Sequence, residues 1–166
     1  MWSADNCVDR EMCALLAIDV GVRTGLALYN RAGQLVWYRS KNFGTAARLR
    51  RGARSLLEDN PEVAYLILEG GGTLADIWTG EAARLGIAVR QISAAVWRTR
   101  LFYPREQRSA TLAKQTADTL ARRVIAWSDA PRPTSLRHDA AEAILIGLWA
   151  VVDLEWLPAL PHRALR

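Results

Sequence analysis

Residues 13–29 read CALLAIDVGVRTGLALY. The stretch opens with a short apolar run, 13–19, that ends in a single acid, Asp19. Val20, Gly21, Val22 and Arg23 follow, and a second β-rich run covers 24–29. Two apolar runs around a tight glycine turn read as a pair of adjacent strands. Asn30, Arg31, Ala32 and Gly33 make the next turn signal, and QLVWYR at 34–39 is a third β-rich run, so the chain opens as a three-stranded antiparallel meander.

Beyond the meander the pattern changes period. From 45 to 59, Ala46, Leu49, Ala53, Leu56 and Leu57 recur at helical spacing, while Arg48, Arg51 and Arg54 project elsewhere and give the helix a basic face. Asn60 and Pro61 stop it. Residues 63–68 then read as a buried strand ending at Glu69 and three glycines, 74–85 as a helix closed by Gly86, and 87–92 as a fifth strand. Strands that alternate with helices should be parallel to one another. A short helix, AAVWRTRLF, a longer one over 109–127, the breaker DAPRPT at 129–134 and a last helix over 136–154 complete the chain. After Glu142 that last helix is apolar nearly all round, which predicts burial against the sheet. The class is α/β, with a single domain over 12–157 and loosely ordered termini at 1–11 and 158–166.

Length and composition narrow the function classes. The 166 residues suffice for one domain with a real core and are too few for a two-lobed kinase or actin-like ATPase. With 51% hydrophobic and 23% charged residues, the chain is not a disordered tail. The formal charge of +5 suits a polyanionic partner. Cys7 and Cys13 alone cannot build a disulfide framework or a four-cysteine zinc site, so reduced thiols and a cytoplasmic location, in a bacterium or an infected cell, are the expectation. The longest apolar run, 143–152, is too short to span a membrane, and no export signal is read at the start.

Acids at the ends of buried strands need a reason, because a carboxylate in low dielectric is costly unless paired or metal-bound. If the first and fourth strands lie side by side and parallel, Asp19 and Glu69 become neighbours about 5 Å apart at one rim of the sheet, where open α/β sheets tend to bind ligands. In RHDAAEAILIG, Asp139 and Glu142 are three apart and so share a face of the last helix, with His138 partly on it. Four converging carboxylates repel unless divalent cations sit among them, and hard oxygen donors favour Mg²⁺ or Mn²⁺. This is the layout of a two-metal phosphodiester hydrolase. Gly70, Gly71 and Gly72 lack the following Lys and Ser/Thr of a P-loop, so no nucleotide cofactor is expected and the glycines read as a turn that lets DNA approach.

Taken together, LAIDVGVRTGLAL at 16–28, LILEG at 66–70 and HDAAEAILIG at 138–147 resemble the RuvC-type resolvases of the ribonuclease H-like superfamily. VWRTRLF at 96–102 and the basic segment after it look more like the phage and organellar branch. The resemblance implies a central five-stranded mixed sheet, three strands antiparallel and then two parallel, flanked by helices. It also implies a Mg²⁺-dependent nuclease with two ions per site, acting as a homodimer on four-way DNA junctions. Asp19, Glu69, Asp139 and Glu142 would be the catalytic metal ligands. Some relatives place the first helix acid one position earlier, so His138 and Asp139 both stand as candidates for the third ligand. Bacterial members carry an aromatic wedge where this chain has Gly70 to Gly72, and Trp78, Phe102 or Tyr103 could take that role.

Arg98, Arg100, Arg105, Arg108 and Lys114 interleave with Trp97, Phe102 and Tyr103 in the manner of a nucleic-acid face. With Arg23, Arg48 and Arg51 they are the candidates for holding backbone phosphates. Trp37, Trp127, Trp149 and Trp156 read as core or interface. Two other readings stand beside the resolvase: a YqgF-type nuclease that processes structured RNA, and a non-catalytic basic DNA-binding module on the same fold.

Overall fold

The computed structural model describes residue 7 and residues 12–165; the expected loose leader falls almost wholly outside the described residues. Five strands, β1 (Ala14–Asp19), β2 (Arg23–Asn30), β3 (Leu35–Asn42), β4 (Val63–Glu69) and β5 (Ala88–Ile92), form one sheet in the order β3-β2-β1-β4-β5. The β1–β2 and β2–β3 pairs are antiparallel, while β1–β4 and β4–β5 are parallel, which is the mixed sheet expected from the sequence. Helices α1 (Ala46–Asp59) and α2 (Gly72–Arg84) cover one face. The other face carries α3 (Ala94–Leu101), α4 (Ala110–Trp127) and α5 (His138–Asp153).

The period-2 alternation of the strands assigns each side chain to a face. Ala14, Leu16, Ile18, Leu26, Leu28, Leu66 and Leu68 enter the core under α1 and α2. Leu15, Ala17, Ala27, Tyr29, Tyr65 and Ile67 enter the core under α3 to α5. Asp19 is in phase with Leu15 and Ala17, and Glu69 with Tyr65 and Ile67, so both acids belong to the α5 face.

Helix starts follow local chemistry. Thr45 caps α1, its hydroxyl accepting from the Arg48 amide at 3.2 Å, and Ser109 caps α4 in the same way through the Leu112 amide at 3.1 Å. α5 lies unusually close to β2. A Cβ on Gly147 would fall 2.2 Å from the Tyr29 ring, and the Tyr29 hydroxyl donates to the Ile144 carbonyl.

Two features depart from the sequence reading. Cys7 and Cys13 are not free thiols but a disulfide with a Cα–Cα distance of 5.9 Å; two cysteines make no framework, yet they suffice for one clip at the start of β1. A 3-10 turn over Pro104–Gln107 separates α3 from α4. A short helix, α6 (His162–Leu165), lies against α4, with Leu157, Leu160 and Leu165 packed on the core. Among the described residues no helix is long and apolar enough to cross a membrane.

Candidate active site

The sheet register brings the acids together. In the parallel β1–β4 pair Asp19 stands directly beside Glu69, and on its other side Asp19 pairs with Gly25 of β2. Each acid is the last residue of its strand, so both carboxylates emerge at one rim, on the face that α5 covers. α5 then adds Glu142 from its second turn. Asp19, Glu69 and Glu142 each offer a carboxylate oxygen, and the three oxygens lie within 4.8 Å of one another.

The close approach of α5 depends on Gly25. A Cβ there would lie 1.8 Å from the Asp139 carbonyl oxygen, a clash with backbone that no rotamer relieves. The second glycine of DVGVRTG is thus required for packing, and it sets the distance between the strand acids and the helix acid. Sequence reasoning registered Gly25 only as part of a motif. The signal that could have exposed it was its two-residue phase with Ala27 and Tyr29, which aims it at the helix face.

Asp139 is nearly buried, at 9% exposure, and does not join the three-carboxylate group; its Oδ2 accepts a 2.6 Å hydrogen bond from Ser40 Oγ on β3. Ser40 was not singled out from sequence, and nothing local marks it, because its place beside Asp139 comes from pairing two strands away. His138 Nε2 lies 3.5 Å from Glu142 Oε1. The two candidates for the third ligand therefore have different neighbours: Asp139 is tied to β3, whereas His138 faces Glu142.

Arg98 and Trp97 differ from their expected roles. Arg98 is not free for a phosphate: its Nη2 pairs with Glu142 Oε1, its guanidinium lies 5.1 Å from the Trp97 ring centroid, and its Nε is buried without a partner. Trp97 is fully buried rather than part of a nucleic-acid face, packs edge-on against Phe102, and donates from Nε1 to Glu69 Oε2 at 3.4 Å. Trp78 and Phe102 are also buried, which removes both as junction wedges; Tyr103, 53% exposed, is the one of the three at the surface.

The electrostatics match a site built for cations. Burial, then the charges of Glu142, Glu69 and Asp139, push the Asp19 carboxyl from an ordinary 3.8 up to about 8. Burial and Glu142 raise Glu69 as well, against the opposing pull of Trp97 and Arg98. Oxygen donors this close, mutually repelling and partly desolvated, fit a hard divalent ion.

The remaining basic candidates scatter. Lys114 lines an open groove of about 340 Å³ with His138, Gln115, Asp118, Thr119 and Leu136, so the groove leads up to Glu142's neighbour. Arg23 is exposed and in phase with Gly25, on the acid side of the sheet. Arg100, Arg105 and Arg108 are exposed on α3 and the turn that follows, Arg105 stacking on Tyr103. Arg48 and Arg51 lie on α1, across the sheet from the acids.

Known structures share the fold. T. thermophilus RuvC in complex with a Holliday junction substrate superposes with a TM-score of 0.57 at 15% identity, over 86% of this chain and 96% of that chain. The fold is ribonuclease H-like. The large terminase nuclease of thermophilic phage G20c compares more loosely, with TM-score 0.48 at 14% identity over 83% of this chain and 80% of that one. The catalytic core domain of BIV integrase follows, TM-score 0.37 at 14% identity over 86% and 82%. No protein-family model and no curated protein matches the sequence.

Proposed function

We propose that this chain is a metal-dependent endonuclease that hydrolyses phosphodiester bonds in branched DNA, four-way junctions above all. The observation that carries the reading is the meeting of Asp19, Glu69 and Glu142 within 4.8 Å at one rim of a ribonuclease H-like sheet. The likeness to a junction-bound RuvC supports the choice of substrate.

Asp19, Glu69 and Glu142 would hold Mg²⁺, or Mn²⁺ in its place, with Asp139 or His138 completing the set for two ions. Bound there, the ions would supply Lewis-acid activation of water and charge stabilisation at the phosphate. The chain's own residues do the rest. Trp97 fixes the Glu69 carboxylate and Ser40 fixes Asp139, the outer support that ligating carboxylates need. Arg98 neutralises part of the negative charge through its pair with Glu142. His138, 3.5 Å from Glu142, would orient a water there. Arg23, Arg100, Arg105, Arg108 and Lys114 would hold backbone phosphates, and paired cuts in a four-way junction would need two copies related by a two-fold axis.

The test is nicking of a synthetic four-way junction, beside linear duplex and hairpin RNA, in Mg²⁺ or Mn²⁺, by wild type and Asp19→Asn. Paired symmetric cuts confined to the junction and lost in the variant are expected. Cleavage of the RNA alone would move the chain to the structured-RNA reading, and binding without cleavage of any substrate would leave the DNA-binding module.

A further inference from the structure

The basic charge of this chain is concentrated in one block. Between Asp19 and Glu58 there is no acidic residue, yet the stretch holds eight basic ones: Arg23, Arg31, Arg39, Lys41, Arg48, Arg50, Arg51 and Arg54. The rest of the chain has 14 basic residues against 17 acidic ones, so the whole positive excess belongs to β2, β3 and α1.

The structure gathers part of that block into a continuous strip. On β3, Trp37, Arg39 and Lys41 pair with Leu28, Leu26 and Thr24, which puts them on the α1 side of the sheet. Arg39 stacks on Trp37 at 4.6 Å, and the Lys41 ammonium sits 5.3 Å above the Phe43 ring. Phe43 in turn packs into α1, where a Cβ on Gly52 would fall 2.3 Å from its ring. Arg48 and Arg51 are exposed on that same helix. Among the described residues Arg39, Lys41, Arg48 and Arg51 are in no ion pair, whereas Arg54 is held by Glu81. Protection of an edge strand explains a charge or two on β3, but not the arginines of α1.

We infer that this β3–α1 strip is a second DNA-binding surface, which carries a duplex arm of the substrate away from the acid site. The inference rests on the nuclease reading above. Its direction comes from the register: Asp19 pairs with Gly25, and Gly25 with Ser40, so the β3 backbone lies two strand spacings, about 10 Å, from the acids, and the strip residues leave that edge on the α1 side. A junction arm that passes the β3 edge on its α1 side meets Lys41 and Arg39 there. These two are about 6.6 Å apart along the strand, close to two base-pair rises. The eight residues of β3 span roughly 26 Å, about eight base pairs of an arm.

The test measures binding without cleavage, in metal-free buffer, to junctions whose arms are lengthened from about 5 to about 15 base pairs. For wild type, affinity should rise with arm length and level off beyond about eight to ten base pairs. In Arg39→Gln/Lys41→Gln/Arg48→Gln/Arg51→Gln that rise should disappear, and the slope of log affinity against log salt should fall by about 3.6, the effect of four lost phosphate contacts. Arg48→Glu/Arg51→Glu, which leaves the sheet edge untouched, should show the same direction if the fourfold variant misfolds. An unchanged salt slope and arm-length dependence in folded variants would overturn the inference, and so would a strip-dependent preference for duplex RNA. Failure of the nuclease reading is separate, because it is read in the Asp19→Asn cleavage assay and not in binding.

Discussion

Two buried acidic positions on opposite faces of the sheet have opposite fates. On the α1–α2 face, Glu81 is 6% exposed and takes a hydrogen bond from Arg54 Nε at 3.1 Å and another from Arg84 Nη1 at 2.7 Å; those hydrogen bonds hold its carboxyl below the usual range. On the α5 face, Asp19, Glu69 and Glu142 crowd one another with a single arginine between them, and the carboxyls of Asp19 and Glu69 are pushed up. Burial alone therefore does not mark a functional acid. The discriminating quantity is whether the chain itself supplies enough positive charge. At Glu81 it does, and the acid clamps two helices; at Asp19 it does not, and the deficit is what a divalent ion would fill.

The sharpest way to break this contrast is to remove one acid from each face. Asp19→Asn should lower cleavage at least about 100-fold, the scale of one lost electrostatic group at a reacting centre, while raising the metal-free melting temperature at pH 8. Glu81→Gln should leave cleavage within about twofold and lower the melting temperature by several degrees, because Arg54 and Arg84 lose their shared partner. Cleavage assays and thermal melts on the same preparations read both.

Gly25→Ala should come next in size. Its Cβ would drive the Asp139 backbone outward, at a cost of about 1–3 kcal/mol for an overpacked seam, and separate Glu142 from the strand acids. Mn²⁺ affinity measured by calorimetry should fall about 10- to 100-fold, the scale of a disturbed ligand set. The far-UV spectrum should be retained.

The pH dependence follows from Asp19. A carboxyl at about 8 in the folded chain keeps a proton that the unfolded chain releases near 3.8. Asp19 therefore costs the metal-free fold nothing below the lower value, an increasing amount as pH rises between the two, and the full penalty above about 8. Melting in chelator across pH 4–9 should trace that decline, and millimolar Mg²⁺ should reverse it most strongly at the alkaline end. Asp19→Asn should flatten the curve.

The smallest effect expected is that of Ser40→Ala. Freeing Asp139 from its 2.6 Å hydrogen bond should weaken Mn²⁺ binding about 10-fold while moving the melting temperature little. An unchanged affinity would show that Asp139 is held there for α5 packing and plays no part in ion binding.

Much of this was legible in the sequence, because hydrophobic period carries face assignments directly. The apolar runs of CALLAID and VAYLILE put Asp19 and Glu69 at the ends of buried strands, and the spacing of Asp139 and Glu142 put both on one helix. The arginines were harder to read. Arg98 looked like one more basic residue of an exposed stretch and proved to be the partner of Glu142, while Trp97 beside it proved to be core. Helix rotation and the choice of packing partner are not local properties, and an eight-residue segment with almost no apolar periodicity gave no sign of which side turned inward.

By itself, then, the sequence determined the order of strands and helices, the identity of the acids and the basic character of the β2–β3–α1 block, since each depends on periodicity and composition within a short window. Only the tertiary structure decided that Asp19 stands beside Glu69 in register, that Gly25 admits α5 to within reach of both, that Asp139 turns to Ser40, and that Arg48 and Arg51 lie across the sheet from the acids. Those are relations between residues that are distant in the chain. They are fixed by strand pairing and close packing, where a single Cβ decides whether two backbones can meet.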